Sequence, residues 1–231
     1  LGYDVLLDAA AFVPTNRLDL SRVAPDYVAI SFYKLFGYPT GIGALLARRE
    51  ALAKLRRPWF CGGTVRFAAA QQPVHIPYRN AAAFEEGTPS FLAMPVVARG
   101  LDFLDDVGVE RIHDHVTALT DALLRALAAL VHDDGRPAVR VYGPATTAGR
   151  GGTVALNLLD RDGHVIDCRL VEAAAAAAGV SLRTGYFCNP GAAETSFELP
   201  EEDARRCFTE LAGDEFTLQQ YSACLAARPV G

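Results

Sequence analysis

The sequence predicts an α/β protein followed by a smaller α+β domain, and three observations carry that reading. Val5 to Leu7, Val28 to Phe32 and Gly43 to Ala47 are short apolar runs bounded by turn residues, the pattern of strands buried on both faces of a sheet. From Val109 an apolar stripe of Val109, Ile112, Val116, Leu119, Leu123, Leu127 and Leu130 keeps the three-or-four spacing of one helix face. Beyond it the order strand, strand, helix, strand, loop, helix suggests a second layered unit. The boundary is expected near residue 108, giving domains over 1–108 and 109–231.

The elements follow in order. Glu50 to Arg57 reads as a short helix stopped by Pro58, and residues 58–89, with scattered Gly, Pro and aromatic residues, read as a long functional loop region. Ser90 is placed to cap a helix running to Val107. Gly135 and Pro137 end the long helix that begins near Val109. Arg140 to Tyr142 and Thr153 to Leu158 are expected strands, Val165 to Ala178 a helix terminated by Gly179, and Val180 to Arg183 a further strand.

Composition narrows the function. The chain has 231 residues, 51% hydrophobic and 21% charged, which is ample material for a core. A net charge of -5 offers no broad basic footprint, so nucleic acid and anionic membrane are not expected partners. No apolar run reaches the ~18 residues of a membrane span, and no signal-peptide pattern opens the chain, which suits a cytoplasmic protein. Leu1 leads straight into an apolar run without an initiator methionine, as expected for a piece of a longer chain. The five cysteines are odd in number and scattered, suggesting neither a disulfide framework nor a zinc site. Cys168 and Cys207 read as buried small hydrophobes. His113 and His115 stand two apart on a helix and face different ways, so no metal is expected.

Chemistry concentrates in Ser31-Phe32-Tyr33-Lys34-Leu35-Phe36-Gly37-Tyr38-Pro39-Thr40-Gly41-Ile42-Gly43. A lysine at the carboxyl end of a strand faces the crevice where α/β sheets bind ligands, although most lysines are merely solvated. Asp8 ends an earlier strand in the same way. A strand-end carboxylate can hold a pyridine nitrogen protonated while the lysine bonds to an aldehyde.

With Leu7-Asp8-Ala9-Ala10-Ala11, Phe84-Glu85-Glu86-Gly87-Thr88-Pro89 and Leu182-Arg183-Thr184-Gly185-Tyr186-Phe187-Cys188-Asn189-Pro190-Gly191, that segment makes the chain resemble the class V aminotransferases. Within them it is most similar to the cysteine desulfurases and to the amino-terminal domain of molybdenum cofactor sulfurases. The resemblance implies the later part of a fold type I large domain followed by a small α+β domain, with pyridoxal 5'-phosphate as cofactor. It implies that Lys34 bonds covalently to the cofactor, Asp8 pairs with its ring nitrogen, and Ser31 and Tyr33 donate to its phosphate. Thr88 is implied to reach the phosphate of a neighbouring subunit, hence a homodimer. Arg183 would clamp the α-carboxylate of the substrate, L-cysteine, with its planar fork of donors. Cys188 would accept the substrate's sulfur and pass it to an acceptor, the molybdenum cofactor or a carrier protein.

Two positions depart from the cysteine desulfurase pattern: Ala11 stands where many members carry glutamine, and Tyr33 where they carry histidine. Both narrow the subfamily toward the sulfurases. The family's phosphate-binding loop and ring-stacking side chain are expected upstream of Leu1. Rival readings are an aminotransferase, epimerase or lyase on another amino acid, with Cys188 a bystander, or a non-catalytic binding or sulfur-carrier homologue, since fold alone does not choose among them.

Overall fold

The computed structural model describes residues 2–211, 213 and 216–225. The chain divides into two compact units, Leu1–Ala118 and Leu119–Gly231.

The first unit is built on a three-stranded sheet in the order β1 (Leu6–Asp8), β2 (Tyr27–Ser31), β3 (Gly43–Ala47). β1 and β2 are parallel, with Leu6 opposite Tyr27 and Asp8 opposite Ala29. β2 and β3 are antiparallel, Ser31 facing Gly43. The parallel pair puts the carboxyl ends of β1 and β2 on one edge of the sheet. Gly43 is required by the close approach there, since a Cβ on it would lie 2.7 Å from the Ile30 carbonyl oxygen.

The expectation of strands buried on both faces holds only for the start of β2. Tyr27 and Val28 are buried, but Leu6 on β1 is 60% exposed and Leu45 on β3 is 53% exposed. The reason is position: among the described residues β1 and β3 are the two edges of the sheet.

α1 (Phe32–Phe36) begins directly where β2 ends, and Gly37 closes it in the left-handed region at φ 81°, its N–H donating to the Tyr33 carbonyl. α2 (Arg49–Leu52) is shorter than the helix expected over Glu50 to Arg57. Residues 58–89 are not wholly loop: β4 (Val65–Ala68) and β5 (His75–Pro77) pair as an antiparallel hairpin with a register shift after Val65. A 3-10 turn follows at Ala81–Ala83, capped by the Asn80 side chain. α3 (Met94–Val107) carries Gly100, where a Cβ would collide with the Phe36 ring, so its absence lets α1 pack against α3. α4 (Val109–Ala128) follows, and the division between units falls inside it.

In the second unit β6 (Val139–Tyr142) and β7 (Ala155–Leu158) form an antiparallel pair in which the Tyr142 hydroxyl donates to Asn157 at 2.8 Å. α5 (Cys168–Ala177) is capped by Asp167. No strand forms at Val180 to Arg183, because no other strand pairs with it among the described residues; the backbone there is irregular. α6 (Pro190–Ser196), α7 (Glu201–Leu211) and α8 (Leu218–Cys224) complete the described structure. Contrary to the sequence reading, Cys207 and Cys224 form a disulfide that ties α7 to α8. Cys207 is fully buried as expected, but as half of that bond. No helix among the described residues is long and apolar enough to cross a membrane.

Candidate active site

The parallel pairing of β1 and β2 puts Asp8 and Ser31 at the same end of the first unit's sheet, and Lys34 follows in the helix that leaves β2 there. Asp8 is the last residue of β1 and stays exposed. Its Oδ1 accepts the Ala10 N–H at 3.0 Å, while the Ala9 N–H donates to the Ala29 carbonyl at 3.0 Å. The chain thus turns inward immediately after the carboxylate, and Ala9 and Ala10 are buried beneath it. A larger residue at Ala9, which has no exposed surface, would have to displace that turn.

Ser31 ends β2 with an extended backbone, and its hydroxyl makes no hydrogen bond to the helix that follows. Lys34 sits inside α1, three residues past the end of β2, rather than on a loop. Both Tyr33 and Lys34 are exposed. α1 is anchored through its other face: Phe32 and Phe36 stack at 6.2 Å between centroids, and Phe36 lies against Gly100. The buried Pro39, joined to Tyr38 by a cis peptide, follows the helix.

Thr88 is exposed on the irregular segment after the 3-10 turn. That segment is held from residues 57–64. Arg57 donates to the Glu86 carboxylate and to the Ala83 carbonyl at 3.1 Å, and the Trp59 indole N–H reaches Glu86 at 3.3 Å. These donors hold the Glu86 carboxyl below the usual carboxylate range, the Trp59 hydrogen bond foremost and the Arg57 charge next.

In the second unit Arg183 and Cys188 lie on one exposed segment between α5 and α6. The Thr184 hydroxyl donates to Glu172 on α5 at 2.9 Å. Phe187 and Cys188 both adopt the left-handed region, at φ 51° and 63°. Asn189 closes the turn: its N–H donates to the Tyr186 carbonyl at 2.8 Å and its side chain accepts the Ala192 N–H at 3.2 Å, starting α6. Cys188 is a free, exposed thiol. Cys168, in contrast, is partly buried, and that burial pushes its thiol above the ordinary value. A nucleophile needs access and thiolate, and of these two only Cys188 has the access.

Sequence reasoning missed Arg57, Glu86 and Glu172, whose roles arise from pairings across the fold. It also missed Asp160, Asp162 and His164, whose ligand atoms lie within 4.8 Å of one another. Asp160 spends an oxygen on the N–H groups of Asp162 and His164, so the group reads first as a turn.

Comparison with known proteins identifies the family. The family model for class V aminotransferases matches residues 2–201. The human protein named molybdenum cofactor sulfurase is 38% identical over 222 residues, covering 93% of this chain and 25% of that protein. The bovine one is 38% identical over 208 residues, covering 87% of this chain and 24% of its own length, so the chain spans about a quarter of these curated relatives. The apo structure of a cysteine desulfurase from Thermococcus onnurineus superposes with a TM-score of 0.63 at 21% identity, covering 97% of this chain and 51% of that one. With a match running through both the sheet edge and the Arg183 to Cys188 segment, the chain belongs to the class V aminotransferase family.

Proposed function

We propose that this chain is part of a pyridoxal-phosphate-dependent cysteine desulfurase of the molybdenum cofactor sulfurase type. The observation that carries the reading is the parallel pairing of β1 and β2, which sets the strand ended by Asp8 beside the strand that leads into the helix of Lys34. The 38% identity to proteins named molybdenum cofactor sulfurase supports the subfamily. Residues 1–108 serve as the later part of the cofactor-binding large domain and 109–231 as the small domain.

The residues present suit the cofactor. Asp8 offers a carboxylate with one oxygen engaged by the backbone and the other open, Ser31 an uncommitted hydroxyl, and Lys34 an exposed amine. Pyridoxal 5'-phosphate, when bound, supplies the electron sink for bond breaking at the amino acid's Cα. Lys34 holds it covalently, and its Nζ then moves a proton from Cα. Asp8 keeps the ring nitrogen protonated, Ser31 and Tyr33 donate to the phosphate, and Thr88 donates to that of a neighbouring subunit in a homodimer. Arg183 grips the α-carboxylate of L-cysteine. The Cys188 thiolate attacks the substrate Sγ: a new S–S bond forms, the C–S bond breaks with its electron pair passing to carbon, and protonation there yields alanine. The sulfur rests on Cys188 as a persulfide for the molybdenum cofactor or a carrier protein.

A cytoplasmic location belongs to this reading. The Cys207–Cys224 bond runs against it, because cytosolic thiols are kept reduced.

Borohydride reduction followed by peptide mapping tests the first step: the label belongs on Lys34, and a label on Lys54 ends the assignment. Cys188→Ser tests the second. It should bind L-cysteine normally yet fail to accumulate protein persulfide or release alanine at the parent rate. Equal alanine release, or transamination of another amino acid by the parent, hands the site to the aminotransferase, epimerase or lyase reading. Absence of any bound cofactor in the intact protein leaves the non-catalytic carrier.

A further inference from the structure

Thr88 lies on a segment with no helix or strand to aim it. What holds that segment is a cluster contributed by residues 57–64, outside the Phe84 to Pro89 block. Gly87 donates its N–H to the Gly62 carbonyl at 2.9 Å, and Glu86 is gripped by Arg57 and Trp59. The 61–64 turn that supplies Gly62 is itself rigid: Thr64 is 2% exposed, accepts the Cys61 N–H at 3.0 Å and donates back to the Cys61 carbonyl at 2.8 Å. Gly63 adopts φ 84°, a left-handed backbone that glycine takes at no steric cost, and its Cα lies near the Glu85 to Gly87 backbone.

Arg57 is not an ordinary surface cation. Its side chain is 13% exposed against 53% for its partner Glu86, and it stacks over the Trp59 ring at 5.1 Å. One nitrogen takes Glu86 and another the Ala83 carbonyl, so a single planar group bridges the end of the 3-10 turn and the segment beyond it. Its Nε–H is buried without an acceptor. An exposed pair would leave both partners free to swing and would hold little. This one is sunk on the arginine side and is backed by an aromatic face.

We propose that Arg57 is a positioning residue that fixes the Glu86 to Thr88 segment, so that the Thr88 hydroxyl meets the cofactor phosphate. The inference rests on the role given to Thr88 above. Arg57 touches neither cofactor nor substrate; it acts through Glu86. Lysine cannot replace it, because one ammonium point cannot span both the Ala83 carbonyl and the Glu86 carboxylate as a fork does.

The test uses the intact protein and four variants: Arg57→Met, Arg57→Lys, Glu86→Gln and Thr88→Ala. Amide exchange across residues 84–89 is read without cofactor, and affinity is then measured for pyridoxal 5'-phosphate and for pyridoxal, which lacks the phosphate. Arg57→Met should speed exchange at Gly87 at least tenfold. It should also weaken pyridoxal 5'-phosphate about tenfold while leaving pyridoxal unchanged, Arg57→Lys following it and Glu86→Gln falling between. Thr88→Ala should show the same phosphate-selective loss with normal Gly87 exchange, and combining it with Arg57→Met should add little. If Thr88→Ala loses phosphate affinity and Arg57→Met does not, the proposal is overturned and Thr88 keeps its role. If neither loses it, the role of Thr88 fails and takes the proposal with it. Should Arg57→Met not fold, Arg57→Lys decides by the same two readings.

Discussion

The two regions to which we assign the chemistry are built on opposite terms. Asp8 and Ser31 are set by a sheet, at the ends of neighbouring strands, and Lys34 by the short helix that leaves β2. Arg183 and Cys188 sit on coil, steered by a Thr184 to Glu172 hydrogen bond and by the Asn189 turn. The difference follows the tasks we assign. A group that must meet a fixed ring gains from a rigid frame, whereas a sulfur that must first accept and then deliver gains from a segment with few constraints.

The largest effect should come from the sheet edge. Lys34→Ala removes the proton carrier we propose and should lower alanine release by about 10²–10⁴-fold, with little change in stability because the side chain is exposed. Turnover within tenfold of the parent would take Lys34 out of the mechanism and dissolve the comparison on its rigid side.

The second unit has its own rigid device, a covalent one. Cys207 and Cys224 close a 17-residue loop, and Cys224→Ser should cost about 3 kcal/mol on a chain-entropy estimate, read as a lower unfolding midpoint. Unchanged unfolding, together with a thiol titration that finds all five cysteines free in the parent, would show that the bond does not form in solution.

Gly43→Ala then asks how tightly the sheet edge is drawn. The added Cβ must push against the Ile30 carbonyl, and the overpacking should cost about 1–3 kcal/mol and reduce cofactor retention as Ser31 shifts. A neutral result would mean that the edge yields as easily as the coil.

The smallest effect concerns α5, to which the Arg183 segment is tied. Asp167→Ala removes the cap and should cost about 1 kcal/mol. Arg169, by hydrogen bond and charge, depresses the Asp167 carboxyl from 3.8 to about 2. A depressed folded-state value means that this contribution is complete above pH 4 and is lost as pH falls through about 2. Amide exchange at Arg169 during acid titration measures it directly, and protection lost already above pH 4 would contradict the pairing.

The apolar runs that announced β1 to β3 were legible because each is short and bracketed by turn residues. Their exposure was not, since a run looks the same at an edge as in the middle of a sheet. Val180 to Arg183 was misread for a related reason: alternation marks a segment able to pair, and only the fold supplies or withholds the partner. The β4–β5 hairpin hid behind scattered Gly and Pro. Lys34 and Asp8 were legible from their places at strand ends, whereas Thr88, Arg183 and Cys188 stood out through the blocks they share with a family. Arg57 had no local signal at all, because its partner lies 29 residues away. Likewise, Cys207 and Cys224 meet only because two helices bring them together.

Phe187 and Cys188 hold consecutive left-handed backbones that suit glycine or asparagine better, at a cost of about 1 kcal/mol each. Two selections applied to one variant library should therefore disagree. Sorting for thermal resistance should enrich glycine at both positions, whereas sorting for sulfur release should tolerate it at Phe187 and reject it at Cys188. The residue on which the two selections part company is the nucleophile, and finding it this way requires no knowledge of where the sulfur goes next.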